Sequence, residues 1–371
     1  MNIHDFSDRL RAGALTRREV AQMLASLGVV ATVMPLASRR AAAAAEDQPM
    51  YFGWSGYDDP ALWVAYQEAH GELPRFTLWG DEEEGLAKMI AGFKPDIVFP
   101  CNYKVDKWWQ AGVLGTIDTS KLTHWDEVIP SLKELEVGVV DGQRIWVPID
   151  WGQTSVLYRT DLAPEYVDNE TFAILWDPKY QGRVAMFDSL IDGVAIAAIM
   201  AGVDPFTYTE ETIEKTRAKL KELVPNLLYF SNDVTSLEQG LASGELVAAT
   251  TWNESVTRLK QQGLPVKFMN PKEGAMTWVC GFSIVKDTPL YDQAHEMIDA
   301  MLDPRSRAWE IENFGYGVST APAFEMVDEA TLSELGLSKN PDDLLSSGIF
   351  QEPITPEPEV EAMFAEVKAG L

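Results

Sequence analysis

Past residue 45 the chain reads as an α/β protein of two lobes, each a central β-sheet flanked by helices. Three observations predict this. A length of 371 residues suits about two domains of ordinary size. The composition, 46% hydrophobic and 23% charged, is that of an ordered globular protein and not of a disordered one. Short apolar runs alternate with helix-like segments, and they do so in two successive series, which implies parallel strand pairing in each.

In the first series, residues 50–54 (MYFGW), 75–79 (RFTLW) and 96–100 (DIVFP) read as strands. Between them, 60–69 and 82–93 have helical spacing. The second series begins after Trp146, with strands expected at 153–159, 183–187, 227–230 and 246–251 and helices at 210–223 and 233–241. Strands at 266–269 and 282–285 follow, then helices at 291–302 and 305–313. The proline-rich segment 352–358 predicts an extended strap before a last helix at 359–369. Tyr103 leads into a helix with a doubled tryptophan, Trp108-Trp109, of which one is expected to pack and the other to cover the surface. Ligands of such sheets sit at the carboxyl ends of strands.

The first 45 residues differ in kind. They carry six arginines against Asp5, Asp8 and Glu19, whereas the whole chain has 30 Lys+Arg against 57 Asp+Glu, a net charge of −27. Thr16-Arg17-Arg18, an apolar run over 23–37, Arg39-Arg40 and five alanines follow in the order of a cleavable export signal, and the arginine pair resembles a twin-arginine signal. The run, broken by Pro35, is shorter than the roughly 20 residues that cross a bilayer. A free protein of a periplasm-like compartment is expected, cut between Ala41 and Glu46.

The charge excludes several functions. Nucleic acid and anionic membrane surfaces are recognised by basic side chains, which this chain lacks in excess. The four histidines, His4, His70, His124 and His295, share no ligand spacing with Cys101 and Cys280, so no metal site and no cofactor is expected. Nor is there a phosphate loop or a nucleophile elbow. The acidic run Asp81-Glu82-Glu83-Glu84 is expected to complement a helix dipole and face solvent.

The strand ends carry Trp54-Ser55-Gly56-Tyr57, then Cys101-Asn102-Tyr103-Lys104, Trp151-Gly152-Gln153-Thr154, Thr251-Trp252-Asn253-Glu254, Trp278-Val279-Cys280 and Phe314-Gly315-Tyr316. In order and spacing these blocks resemble the periplasmic spermidine/putrescine-binding proteins of ABC importers, across nearly all of the chain after residue 48. The resemblance implies a periplasmic binding protein fold of Venus-flytrap type, with 46–150 and 280–324 as lobe 1 and 151–279 and 325–371 as lobe 2. It also implies a monomer that performs no chemistry and hands its ligand to a permease. The family's cleft positions fall on Trp54, Ser55, Tyr57, Cys101, Tyr103, Asp192, Trp252, Trp278 and Tyr316, with Asp188 beside a further family Asp at Ser189, and Gln351 as an additional position. Cys101 and Cys280 stand open between a disulfide and two free thiols near the ligand.

Two family acceptors are missing, because Gly56 and Cys280 stand where spermidine binders carry carboxylates. The rings are kept. A cation without N–H donors is held by ring faces at about 0.5–2 kcal/mol each. Trp54, Tyr57, Tyr103, Trp252, Trp278 and Tyr316 are thus expected to form an aromatic cage, with Trp79 and Trp151 in reserve. That ranks methylated onium compounds, of the glycine betaine or dimethylsulfoniopropionate kind, above polyamines, and a choline- or carnitine-type ligand differs only in its tail. An anionic tail would meet Arg159, Lys104 or backbone amides. The alternative of another class is a secreted hydrolase using Asp188 and Asp192, four residues apart, although Asp188 reads equally as a helix N-cap.

The leader yields a test of its own. Replacing Arg17 and Arg18 together by lysine should leave unprocessed precursor in the cytoplasm, as read by fractionation and immunoblotting. Normal export of that variant would remove the twin-arginine reading.

Overall fold

Thirteen strands form in the computed structural model, which describes residues 48–80 and 82–370; the expected leader lies outside the described residues. They are β1 (Met50–Trp54), β2 (Arg75–Trp79), β3 (Ile97–Val98), β4 (Val139–Val140), β5 (Gln143–Arg144), β6 (Val147–Arg159), β7 (Val184–Phe187), β8 (Leu227–Ser231), β9 (Ala248–Trp252), β10 (Val266–Phe268), β11 (Met276–Ile284), β12 (Gly317–Val318) and β13 (Ile349–Phe350). The main sheet runs β2-β1-β3-β11-β6-β9-β7-β8, with β10 and β12 attached to β6 and β13 to β11, while β4 and β5 make a separate hairpin.

Two sets of three parallel strands sit at the ends of this order, β1 with β2 and β3, and β7 with β8 and β9. Helices cover both faces of each set, so successive residues enter different cores. Tyr51 and Ile97 pack with Phe99, Phe282 and Met297, whereas their neighbours Phe52 and Val98 pack with Trp79, Trp108 and Trp146. In the second set Val184 and Met186 face one core, and Ala185 and Phe187 the other. This period-2 division is what a sheet buried on both sides requires.

β6 and β11 join the sets. Val147 to Trp151 belong to the first pair of cores, and Val156, Leu157 and Tyr158 to the second, so one 13-residue strand passes from lobe to lobe. β11 returns beside it, antiparallel, from Met276↔Thr154 to Phe282↔Val147. Both strands start earlier than the expected 153–159 and 282–285. They are buried along nearly their whole length and contain Pro148, Gly152 and Gly281, which by themselves read as breaks. The helices Glu210–Leu223 and Tyr291–Leu302 fall where the periodicity places them. The first is opened by a capping box between Thr209 and Thr212. Unanticipated helices include Glu254–Gln261 and the three short ones Ala321–Met326, Glu329–Glu334 and Pro341–Ser347, whereas Ala195–Met200, largely buried with no polar stripe, follows the Asp188 segment read as a helix start. Trp108 is buried against Trp79 while Trp109 is only partly covered, as expected of the doubled tryptophan.

The crossing is tight. A Cβ on Gly152 would collide with the Trp278 indole and come within 2.6 Å of Asn253 Oδ1, a side chain that itself accepts the Gln153 N–H at 2.9 Å. Gly152→Ala should therefore cost about 1–3 kcal/mol of stability in urea unfolding. An unchanged midpoint would show that the strands can separate without penalty.

Candidate ligand-binding cleft

Because the strands of each set are parallel, their carboxyl ends lie together, and the two sets present these ends to one cleft of ≈ 720 Å³. Trp54 ends β1, Gly80, Glu82 and Glu83 follow β2, and Tyr103, Lys104 and Lys107 follow β3. Opposite them stand Phe187 to Asp192 after β7, Asn232 after β8 and Trp252 ending β9. Ile354, Glu357, Pro358 and Glu361, from the expected extended strap and the last helix Glu357–Ala369, line the remaining side.

Six of the lining side chains are carboxylates and two are ammonium groups. Lys104 Nζ lies 2.8 Å from Glu83 Oε1 and 2.9 Å from Glu357 Oε1, and Lys107 Nζ is 2.8 Å from Glu83. Asp188 is paired with Lys368 at 2.6 Å. Among the described residues the buried Glu82 and Asp192 have no salt bridge. Glu82 is 4% exposed; its Oε1 accepts the Cys101 N–H at 2.7 Å, and the Tyr103 side chain hydrogen-bonds the same carboxyl. Burial pushes this carboxyl up to about 8, against the pull of the Cys101 N–H, Lys104 and Tyr103. Asp192 is 5% exposed, placed by a turn over Leu190–Val194 that Ser189 caps. Its Oδ1 accepts from Thr154 Oγ1 at 2.6 Å and from Gln351 Nε2 at 3.2 Å. Burial raises this carboxyl too, while Thr154, Ser189, Gln351 and Trp252 hold it back.

Five of the expected residues, Trp54, Tyr103, Asp188, Asp192 and Trp252, line the cleft. Tyr57, Cys101, Trp278 and Tyr316 belong to one hydrophobic cluster, against which Trp54, Tyr103 and Trp252 pack, so the structure brings all six expected rings together. It does not present them equally. Trp278 stacks edge-on to Tyr316 at 4.9 Å, both at least nine-tenths buried. Tyr316 donates to Glu254, and Tyr57 donates to Asp150, beneath which Glu310 and Arg307 are paired in full burial. Burial and the neighbouring carboxylates raise both phenols well above their ordinary range. Ser55 is exposed and does not line the cleft, its N–H bonded to Trp79 O at 3.2 Å. Trp79 and Trp151 are core: Trp79 lies against Phe52, and Trp151 Nε1 donates to Val318 O.

The alternative left open for Cys101 and Cys280 is decided, since they form a disulfide, and three expectations need correction. Asp188 is not an N-cap, since Ser189 takes that position, and Asp188 and Asp192 serve separate partners instead of forming an acid/base pair. The acidic run after β2 does not all face solvent, since Glu82 turns inward. Arg159 is tied to Asp161 and to Leu241 O, and it does not line the cleft. Gly56 has φ +97°, a conformation that disfavours any side chain, so its difference from the family involves the backbone as well as a lost carboxylate. Glu82 was missed for want of a ring or a motif, although its place just after a parallel strand was the available signal. Among the described residues no group of three or more His, Cys, Asp and Glu is placed to hold a metal ion.

The model of the family "Bacterial extracellular solute-binding protein" matches residues 64–330. The chain belongs to that family. This solute-binding protein is 26% identical over 336 residues to the spermidine/putrescine-binding periplasmic protein of Escherichia coli strain K12, covering 89% of this chain and 94% of that one. It is 23% identical over 319 residues to a putrescine/agmatine-binding protein of Pseudomonas aeruginosa, at 82% and 86% coverage. In fold it is similar to a spermidine/putrescine transporter substrate-binding protein from Streptococcus pneumoniae (TM-score 0.73, 21% identity, 86% and 98% coverage). It is also similar to a glucopine-bound binding protein from A. tumefaciens (TM-score 0.69, 17% identity, 86% and 99% coverage). The fold is therefore the two-lobed α/β fold of periplasmic binding proteins.

The electrostatics of Glu82 have a consequence for stability. A carboxyl raised from 4.5 to about 8 binds its proton more tightly in the folded chain, so its contribution is fully present below 4.5 and is lost as pH rises towards 8. Glu82→Gln keeps an acceptor for Cys101 and cannot ionise. Its melting temperature relative to the parent should climb across that window and match it at the acid end, as followed by calorimetry.

Proposed function

We propose that this solute-binding protein captures a small organic cation in the periplasm and delivers it to the permease of an ABC importer, performing no chemistry itself. The observation that carries this reading is the pair of buried carboxylates without salt bridges, Glu82 and Asp192, facing one cleft beside the rings of Trp54, Tyr103 and Trp252. A buried carboxyl without a countercharge is expensive to ionise, and a ligand bearing positive charge relieves that cost. The curated relatives are named for polyamines, and among the described residues no helix is long and apolar enough to cross a membrane.

The mechanism is a closing equilibrium: contacts made to both walls favour the closed form, which the permease recognises. We divide the lobes as 46–150 with 280–324 and 151–279 with 325–371. The last segment supports this only in part. Val360, Met363, Phe364 and Val367 pack in the second lobe's core, whereas Val327, Leu332 and Leu345 pack with Trp79 and Trp108 of the first. Lys104 and Glu357, one from each division, meet at the cleft as an ion pair at 2.9 Å.

Polyamines stand ahead of methylated onium compounds in this geometry, because Glu82 supplies a carboxyl that an arriving ammonium can ionise where Gly56 and Cys280 offer none, and Trp278 and Tyr316 lie back from the lining. The onium reading keeps one supporting observation. Trp54 Nε1 is buried with no partner among the described residues, and the carboxylate of a betaine-like zwitterion would accept from it.

Calorimetric titration with putrescine, spermidine, glycine betaine and dimethylsulfoniopropionate decides between them. The bound ligand should lower the radius of gyration in solution scattering. Trp252→Ala should weaken binding by about 1–3 kcal/mol, roughly 5- to 150-fold. Tight binding of the zwitterions with indifference to the amines would reverse the ranking; binding of neither would end the cation reading.

A further inference from the structure

We infer that Glu82 selects ligands whose cationic centre carries N–H groups, and that it surrenders a proton to solvent when such a ligand enters, so that capture is coupled to pH. The inference rests on the cation-binding reading above and names the residue through which it acts. None of the blocks that carry the family resemblance contains Glu82; it follows from placement. The side chain lines the cleft with Trp54 and Tyr103, almost wholly shielded from water, on the first turn of the helix Glu82–Ile90.

Its carboxyl is aimed and held. One oxygen takes the Cys101 N–H, on a residue locked to Cys280 by the disulfide, and Tyr103 bonds the same carboxyl from two residues further on. The neighbouring cation does not neutralise it. Lys104 Nζ is engaged by Glu83 on the same helix and by Glu357 on the last one, and Lys107 by the same two carboxylates. The other charged groups around the cleft are Asp188, paired to Lys368, and Asp192 and Glu361. Burial in low dielectric outweighs the pull of Lys104 and of the Cys101 and Tyr103 hydrogen bonds, with Glu83 adding a smaller push, so Glu82 holds a proton near neutrality.

An arriving ammonium changes that balance. It brings a positive charge and N–H donors to the carboxyl, the ionised form becomes the better acceptor, and the proton leaves to the buffer while the ligand keeps its own. A quaternary ammonium or sulfonium has no N–H to give, so its binding expels much less. The sign follows: affinity for an N–H cation should rise about tenfold per pH unit below the ligand-free titration point near 8 and level off above it. Asp192, hydrogen-bonded by Thr154 and Gln351, remains the constant anchor on the other wall.

The test is calorimetric titration of putrescine, with tetramethylammonium as the probe lacking N–H, in buffers of low and high ionisation enthalpy at several pH values. The parent should release close to one proton per putrescine near neutral pH, and markedly fewer per tetramethylammonium. Glu82→Gln should abolish both the release and the pH slope and weaken putrescine by about 10-fold or more above pH 8. Glu82→Asp should restore part of the slope, which a merely structural role would not do, and Asp192→Asn should weaken binding yet keep the slope. Tight putrescine binding with no proton release, or with the slope intact in Glu82→Gln, overturns the role of Glu82 and leaves the cation reading standing. Failure of every cation to bind the folded parent overturns both.

Discussion

The pairing of β6 with β11 is the constraint on which the rest depends. These are the two long strands shared by both lobes, and they run antiparallel through the centre of the sheet with side chains buried on both faces. Everything on either side is hung from them: β3 joins the first parallel set to β11, and β9 joins the second set to β6. Since each set is parallel and attached with opposite polarity, the carboxyl ends of both must meet at the crossing. The cleft is a consequence of that geometry.

The crossing also explains why the aromatic residues gather without all facing the ligand. Trp278 on β11 lies over Gly152 on β6, Tyr57 closes over the buried Asp150, and Tyr316 donates to the half-buried Glu254. Their rings form the floor and back of the cluster, while Trp54, Tyr103 and Trp252, which end or follow strands, reach its surface. The disulfide between Cys101 and Cys280 staples β3's exit to the same central strand, so the Cys101–Tyr103 backbone that holds Glu82 is itself fixed. Recognition and architecture thus share atoms.

Charge is arranged by depth. At the mouth, acidic and basic side chains satisfy one another, as Lys104, Lys107, Glu83 and Glu357 do, and the exposure of Lys107 and Glu83 keeps their pair individually weak. Inside, Glu82 and Asp192 are met by hydrogen bonds and, among the described residues, by no salt bridge. The same residue type therefore stands in opposite settings at the two levels, ion-paired at the rim and hydrogen-bonded without a cation within. Net charge, −27 over the chain, foretold an acidic protein but not this division.

The sequence by itself determined the α/β class, most helices and strand cores, the strand-end blocks and the family resemblance. Amphipathic spacing and strand-end chemistry are local properties, so β1, β2 and the helices Glu210–Leu223 and Tyr291–Leu302 were legible residue for residue. Tertiary structure decided the extent of β6 and β11, because a strand buried on both faces has no alternation to read and its Pro148 and Gly152 mimic breaks. It decided that Cys101 bonds Cys280, since residues 179 apart meet only through the sheet order. Above all it decided Glu82. In a run of four acidic residues nothing local distinguishes the one that turns inward; only the packing of its helix against the Cys101–Tyr103 turn removes it from water, and that desolvation makes it chemically different from its neighbours.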